Sequence, residues 1–446
     1  MLSALGLIGS LVLLVVLTTR GVTVLVAAPV CAALLAATAG IAFLPPLAAA
    51  GAPDFMSAYM GGFTGFMGAW FPMFLLGAIF GRGMEKSGAA EAVAHAIVSR
   101  FGPERAILAV VVACAVLTYG GVSVFIVAFG VYPMAVGLFR EADLPRRFIP
   151  AALAFGSVTF TMTSAGSPEI QNLIPMEYLG TTPFAGWQAS VPVAIAMATF
   201  GQAWLSRLVA RAVANGERFV PRASDTPPTR AEERPRFLLA VLPLVTVLIV
   251  FLLTSGTLGA LSPLALEKWS LVVALGAGCL AIALVGGRRA RRSIDQVLTE
   301  GATGAVIAIA NTCAVVGFGA VARETPAFAS ALDAITRIPG DPLVGAAIAV
   351  TVIAGITGSA SGGQSIALPL VAPVYLGLGV DPAEMHRVVA ISSGALDSLP
   401  HNGYVVTTVR AICGETHASA YGAVARLTVA VPLMGLALAI LIFSVT

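Results

Sequence analysis

Charge is the scarcest ingredient of this chain. Only 11% of its 446 residues are Asp, Glu, Lys or Arg, against roughly 25% in ordinary soluble domains. In their place, 58% are hydrophobic and the mean hydropathy is +0.94. That deficit excludes a soluble globule and predicts an integral, all-α polytopic membrane protein. A net charge of +3, dispersed over loops between apolar runs, offers no face for nucleic acid. Cysteine is sparse too: Cys31, Cys114, Cys279, Cys313 and Cys413 stand alone in apolar segments. Without CxxC or metal-type spacing they read as small packing residues. Asp397, His401 and a nearby serine could be drawn as an intramembrane hydrolase, the competing class, but HExxH and GxSxG contexts are missing, and the chain is expected not to be an enzyme. No cofactor or metal is expected.

Long apolar runs are what the chain does have. Hydropathy places full spans at about 4–19, 21–44, 65–82, 148–171, 188–207, 237–254, 269–286, 301–322, 388–410 and 423–443. The stretch from Leu2 to Thr19 resembles a signal-peptide core, but no basic residue precedes it and a second apolar run follows, so it reads as the first span. Two further stretches, Ala106 to Leu138 and Leu343 to Leu378, are broken near their middles, at Tyr119–Ser123 and at the octet Gly358–Ser365. Each flanking arm of ~15 residues reaches only ~22 Å, short of a ~30 Å hydrocarbon core. They are expected to be re-entrant hairpins whose polar tips meet inside the bilayer, where irregular backbone survives only around a cavity.

A polar stretch at 211–236, with Pro227, Pro228, Glu232 and Glu233, reads as a cytoplasmic linker between residues 1–210 and 237–446. Each half then carries three spans, a hairpin (about 106–138 and 343–378), an interrupted span (about 148–172 and 388–410) and a final span. Five complete spans is an odd number, so the second half is expected upside down relative to the first. Placing both termini outside puts 21 of the 25 basic residues inside, leaving Lys268, Arg323, Arg337 and Arg387 outside. The first hairpin then enters from the cytoplasm and the second from outside. Glu85–Arg100 and Glu324–Ile338 are expected to be interfacial helices. Gly77 and Gly81 suit close helix packing.

The interrupted spans carry the candidate chemistry. One runs from Thr159 through Ser164, Gly166, Ser167, Pro168, Glu169, Gln171 and Asn172; the other from Ser392 through Asp397, Pro400, His401, Asn402 and Gly403. Gly and Pro at such depth free backbone groups to bind a solute. A restarting half-helix favours a carboxylate, and carbonyls and hydroxyls favour a cation. No lysine or arginine falls in these breaks or in the hairpin tips, so neutral donors are expected to hold a small anion. The candidate substrate-binding residues are Gly120, Gly121, Ser123, Ser164, Ser167, Gln171, Asn172, Ser359, Ser361, Gly362, Gly363, Gln364, Ser365, His401 and Asn402. Glu169 and Asp397 are the acids that fall inside spans and the candidates for the coupling ion, with capping of a broken helix as the plain alternative. Asp397 stands four residues before His401, a helical spacing that would pair them. His95, His386 and His417 fall in loops or interfacial segments and read as solvated. Thr159, Thr161 and Thr163 fit either strand-like backbone or hydroxyls bonded to their own helix.

At these residues the chain resembles the gluconate permease family of the ion transporter superfamily, in its hydroxybutyrate permease-like branch. The resembling segments are TYGGVSVFIVAFGVYPMAVGLFREADLPRRFIPA from Thr118, TMTSAGSPEIQNLIP from Thr161, GSASGGQSIAL from Gly358 and SSGALDSLPHNGYVVTTVRAICGETHASAY from Ser392. The resemblance implies secondary active transport of a sugar acid or short hydroxy monocarboxylate, usually by proton symport, with sodium as the alternative. It also implies an elevator-type homodimer in the bacterial inner membrane. The chain departs from the family pattern at Glu169, more often glutamine, and at Gln364, commonly methionine. The extra acid could add a proton site, join a sodium site or contact a substrate hydroxyl.

Overall fold

In lipid, a helix is the element that satisfies its own backbone. Among the described residues every regular element is helical, apart from one bridge between Ala42 and Asp54. The computed structural model describes residues 2–222, 235–257, 266, 269–285, 293–336 and 341–445. The centre of the linker, with Pro227, Pro228, Arg230, Glu232, Glu233 and Arg234, lies outside these residues, as do Lys268, Arg288, Arg289, Arg291, Arg292 and Arg337.

The first half runs α1 (Leu2–Thr19), α2 (Val24–Ala39), α3 (Phe55–Lys86), α4 (Ala89–Phe101), α5 (Ala106–Tyr119), α6 (Val124–Glu141), α7 (Ile149–Ala154), α8 (Ile174–Leu179) and α9 (Trp187–Ala214). The second runs α10 (Phe237–Thr254), α11 (Ser270–Val285), α12 (Ile294–Arg323), α13 (Pro326–Thr336), α14 (Pro342–Thr357), α15 (Ala360–Gly377), α16 (Pro382–Ser393), α17 (Gly403–Val406), α18 (His417–Ala425) and α19 (Val431–Val445). Among the described residues, six helical runs are long and apolar enough to cross a membrane: α3, α6, α9, α10, α12 and His417–Val445. Shorter apolar helices include α1, α2, α5, α11 and α14. Large side chains such as Leu238 and Leu284, 80% and 81% exposed, turn outward, as a lipid-facing surface requires.

Capping explains several starts. Asp54 opens α3 by accepting from the Ser57 N–H at 2.9 Å, and Asp341 and Asp381, each followed by proline, open α14 and α16. The Asp381 cap moves the start of the second interrupted element to Pro382, six residues before the expected 388. The hairpin arms differ from the expected ~15 residues each. They are 14 and 18 residues in α5 and α6, and 16 and 18 in α14 and α15, and α6 alone has the length and composition to span. The break of the second hairpin is also shorter than the polar octet: Ser359 caps the helix by accepting from the Gly362 N–H, so residues from Ala360 onward are helical.

Packing sorts the helices into two sets. α3 and α12 lie closest of all, with Gly62 against Val316 O and Ala320, and Gly317 against Tyr59. α2 and α11 pack onto this pair, α1 lies on α2 and α10 on α11. The other set contains both hairpins, both interrupted elements, α9 and α19. α4 bridges from α3 and α10 to α5 and α6, and α13 from α1 to α14. α4 is not the freely interfacial helix expected at 85–100, since Ala89, Ala90, Ala92, Val93 and Ala94 are buried and α3 itself continues to Lys86. Gly81 does serve close packing, against Ile126 of α6.

Candidate functional site

Both interrupted elements pass through a π-helical turn, a register that loosens the backbone ladder and recurs at functional sites. In the first, α7 continues as Phe155–Thr159 and then loses helix until Ile170. Thr161 turns its hydroxyl back to the carbonyls of Gly156 and Ser157, and Ser164 does so to Phe160, while Thr159 donates across to Leu427 O at 2.9 Å; the run forms no strand. The freed backbone is re-satisfied by neighbours. Tyr119, at the tip of the first hairpin, donates to Ala165 O at 2.6 Å, and Ser190 Oγ accepts from the Ala165 N–H at 2.9 Å. Gly166, at φ +78°, donates its N–H to Pro183 O at 3.0 Å. Asn172 Nδ2 gathers the break by donating to Ser164 O and Ser167 O at 2.7 and 3.1 Å.

The second break, Gly394 to Asn402, crosses the first at Gly394, where an added Cβ would stand 3.0 Å from Thr163 Cγ2. Asp397 is buried and accepts from Ser398 Oγ at 2.9 Å, and Tyr421 donates to Ser398 O at 3.2 Å. Asn402 caps α17 through the Val405 N–H and donates to Gly358 O, both at 2.9 Å. The His401 ring lies on Gly358, whose φ of +59° and closeness to the ring admit only glycine. Gln364, one turn further along α15, donates to Gln171 O at 3.0 Å and to Val389 O at 3.4 Å.

Of the expected site residues, Ser164, Ser167, Gln171, Asn172 and Gln364 are thus drawn into one cluster, and Ser359, His401 and Asn402 into a second at the tip of the other hairpin. Ser361 and Ser365 share the first turns of α15, where Ser365 donates to Ser361 O at 2.8 Å. Gly363 is taken up by the close approach of Ala354, and Gly362 faces Val315 of α12. The nearest neighbours of the tip glycines lie in other elements than the opposite tip. Gly120 and Gly121 lie against Leu244 and Val247 of α10 and against Pro168, and Ser123 stands just before α6 on the same side. Gly358 sits on His401 and Asn402.

Three further expectations are corrected. Residues 394–402 form turns, so no helix brings Asp397 and His401 together. His386 is not solvated: it is fully buried, with Nδ1 2.6 Å from Thr181 Oγ1. Arg387 is not at an outer boundary: it is 0% exposed and lies at the crossing. Asp381–Pro382 was the signal for this, because a helix starting there carries Arg387 into its second turn. Glu169 is half-buried, precedes the short turn Ile170–Asn172, and makes no side-chain hydrogen bond or ion pair among the described residues.

The GntP family permease model matches residues 2–443. The chain belongs to this family. The permease is 36% identical over 435 residues to the uncharacterized transporter YxjC of Bacillus subtilis, covering 90% of each chain. It is 26% identical over 358 residues to an uncharacterized transporter of Haemophilus influenzae, covering 79% of this chain and 80% of that one. In fold it is similar to the YdaH transporter of Alcanivorax borkumensis, with a TM-score of 0.58 and 16% identity over 99% and 98% of the two chains. It is likewise similar to MtrF of Neisseria gonorrhoeae, an antimetabolite efflux pump, with a TM-score of 0.55 and 15% identity over 94% and 93%. The permease is therefore a multi-pass membrane transporter and not an enzyme.

Proposed function

We propose that this permease is a secondary active symporter that moves a small hydroxylated carboxylate, a sugar acid or short hydroxy monocarboxylate, together with a proton. The observation that carries the reading is the crossing of two interrupted elements in the protein interior, with Asp397 held there by a neutral hydroxyl instead of a basic partner. A carboxyl group in that position can take up a proton and release it as the surroundings open to one side or the other. If the protonated site binds the anion better than the empty one, the two cross together and the anion's charge is neutralised in transit.

The two packing sets support an elevator motion in which the hairpins and interrupted elements slide past α3 and α12, with α4 and α13 as connecting arms. The repeated element order supports two inverted halves, each of five spans and one re-entrant hairpin, with both termini outside. A homodimer in the bacterial inner membrane follows by family resemblance. Sodium coupling is the second reading, favoured by the unpartnered neutral oxygens Ser167 Oγ, Gln171 Oε1 and Gln364 Oε1, which are cation-type ligands. Uptake of labelled gluconate or 3-hydroxybutyrate into proteoliposomes decides. An inward proton gradient should drive accumulation without sodium. Accumulation that follows a sodium gradient and ignores pH replaces the proton reading, and equilibration without accumulation under either gradient refutes symport.

A further inference from the structure

Arg387 is the largest fully enclosed side chain among the described residues. Its Nε donates to Ala185 O at 3.1 Å. One terminal nitrogen donates to Thr163 O at 2.5 Å and to Asn172 Oδ1 at 2.8 Å, the other to Pro183 O at 3.2 Å and again to Ala185 O at 2.8 Å. A guanidinium has five N–H donors, and these contacts occupy them. Every acceptor is uncharged. No carboxylate forms an ion pair with it among the described residues. A buried cation is ordinarily paired with a carboxylate, whereas here carbonyl dipoles carry the load and the charge is left unbalanced.

Around it the same crossing holds buried oxygens without a partner, Ser167 Oγ, Gln171 Oε1 and Gln364 Oε1. Ser167 is tied to Arg387 through Asn172, which bonds both, and Gln364 bonds the carbonyl of Gln171, the residue before Asn172. A hydroxy acid supplies what these groups lack: a carboxylate for the Ser167 hydroxyl and hydroxyl donors for the amide oxygens.

We propose that Arg387 is the positioning cation of the binding region, pinning both breaks and the α8–α9 loop into one frame while its unbalanced charge draws a single carboxylate to the crossing. This rests on the carboxylate symport reading and adds its charge selectivity. With its donors spent, Arg387 acts through space and touches no ligand. One fixed positive charge matches one carboxylate, and a second would lie unpaired in a low-dielectric interior, so dicarboxylates are rejected.

The test is competition binding to purified protein in liposomes. The probes are gluconate and 3-hydroxybutyrate, each with its uncharged amide, plus malate. The unaltered protein should favour each acid over its amide by at least tenfold and exclude malate. Arg387→Gln should weaken the acids at least tenfold more than the amides, which lose only what the frame contributes. Arg387→Lys, which keeps the charge but loses donors, should melt at a lower temperature yet retain the acid-over-amide preference. A purely structural arginine would move acids and amides together in both variants, and that result overturns the proposal. Should Arg387→Gln not fold, Asn172→Asp places a carboxylate where Oδ1 now stands 2.8 Å from the guanidinium. It should weaken the acids tenfold against the amides, and an unchanged ratio again overturns the proposal. Failure of the unaltered protein to bind either acid is a different outcome, and sinks the hydroxy-acid reading together with this one.

Discussion

At the residue scale the site turns on groups whose surroundings differ from what their neighbours in sequence announce. Asp397 keeps its place at depth but is held by Ser398 and not by His401. Asp397→Asn preserves the shape and the Ser398 contact while removing the exchangeable proton. We expect it to abolish concentrative uptake with the folded protein yield unchanged, and accumulation at the normal level would falsify the assignment. Glu169, without a side-chain partner among the described residues, should when changed to Gln shift the pH dependence of uptake or the choice of substrate. An unaltered pH profile reduces it to the residue before the Ile170–Asn172 turn. Gly186 is set by geometry alone: at φ +61° an added Cβ would stand 2.8 Å from Arg387 Cβ and 2.9 Å from Ala383 O. Gly186→Ala should therefore cost about 1–3 kcal/mol, read as a lower melting temperature. The polar character of these positions was legible in the sequence, and the partners were not, because partners more than 200 residues away, such as Arg387 and Asn172, are brought together only by folding.

At the element scale, one short segment after α9 straps the inner set together. Arg147 forms a two-pronged pair with Glu217 at 2.6 and 2.8 Å, Phe219 lies under the guanidinium groups of Arg140 and Arg146, and Arg222 reaches Cys413 O, Gly414 O and Glu415. The hydrogen bonds from Arg147 hold Glu217 below the ordinary carboxylate range. The pair's contribution is thus complete above the unfolded glutamate value of about 4.3 and is lost as pH falls through the lowered folded value. Both side chains are more than a third exposed, at 35% and 38%, so Glu217→Gln should cost at most about 1 kcal/mol. Melting compared at pH 7 and pH 3 checks the sign, since the gap between variant and parent should close at the lower pH. Helix starts at Asp341 and Asp381 carry a local signal, an aspartate before proline, that hydropathy alone passes over. The length of α6 and the shortness of the Gly358–Ser359 break were not legible, because a helix can absorb polar residues wherever neighbouring elements bury them.

At the scale of the whole molecule, the proposed sliding of one helix set past the other requires that their contacts change during the cycle. The α12–α15 contact, where Ile366 fills the space beside Gly319, is such a seam. A disulfide between Gly319→Cys and Ile366→Cys should arrest uptake under oxidation and restore it on reduction. Transport that continues with the cross-link fully formed would rule out sliding at that seam.

The sequence by itself determined that the chain lives in lipid, where its helices fall and which polar residues lie within the apolar elements, because hydrophobic runs, prolines and caps are local signals that each stretch carries alone. Tertiary structure decided which interrupted element each hairpin tip rests on, that the two breaks cross at Gly394 and Thr163, and that Arg387 is enclosed by carbonyls at that crossing. These are contacts between distant segments, and hydropathy, which averages over neighbours in the chain, holds no record of them.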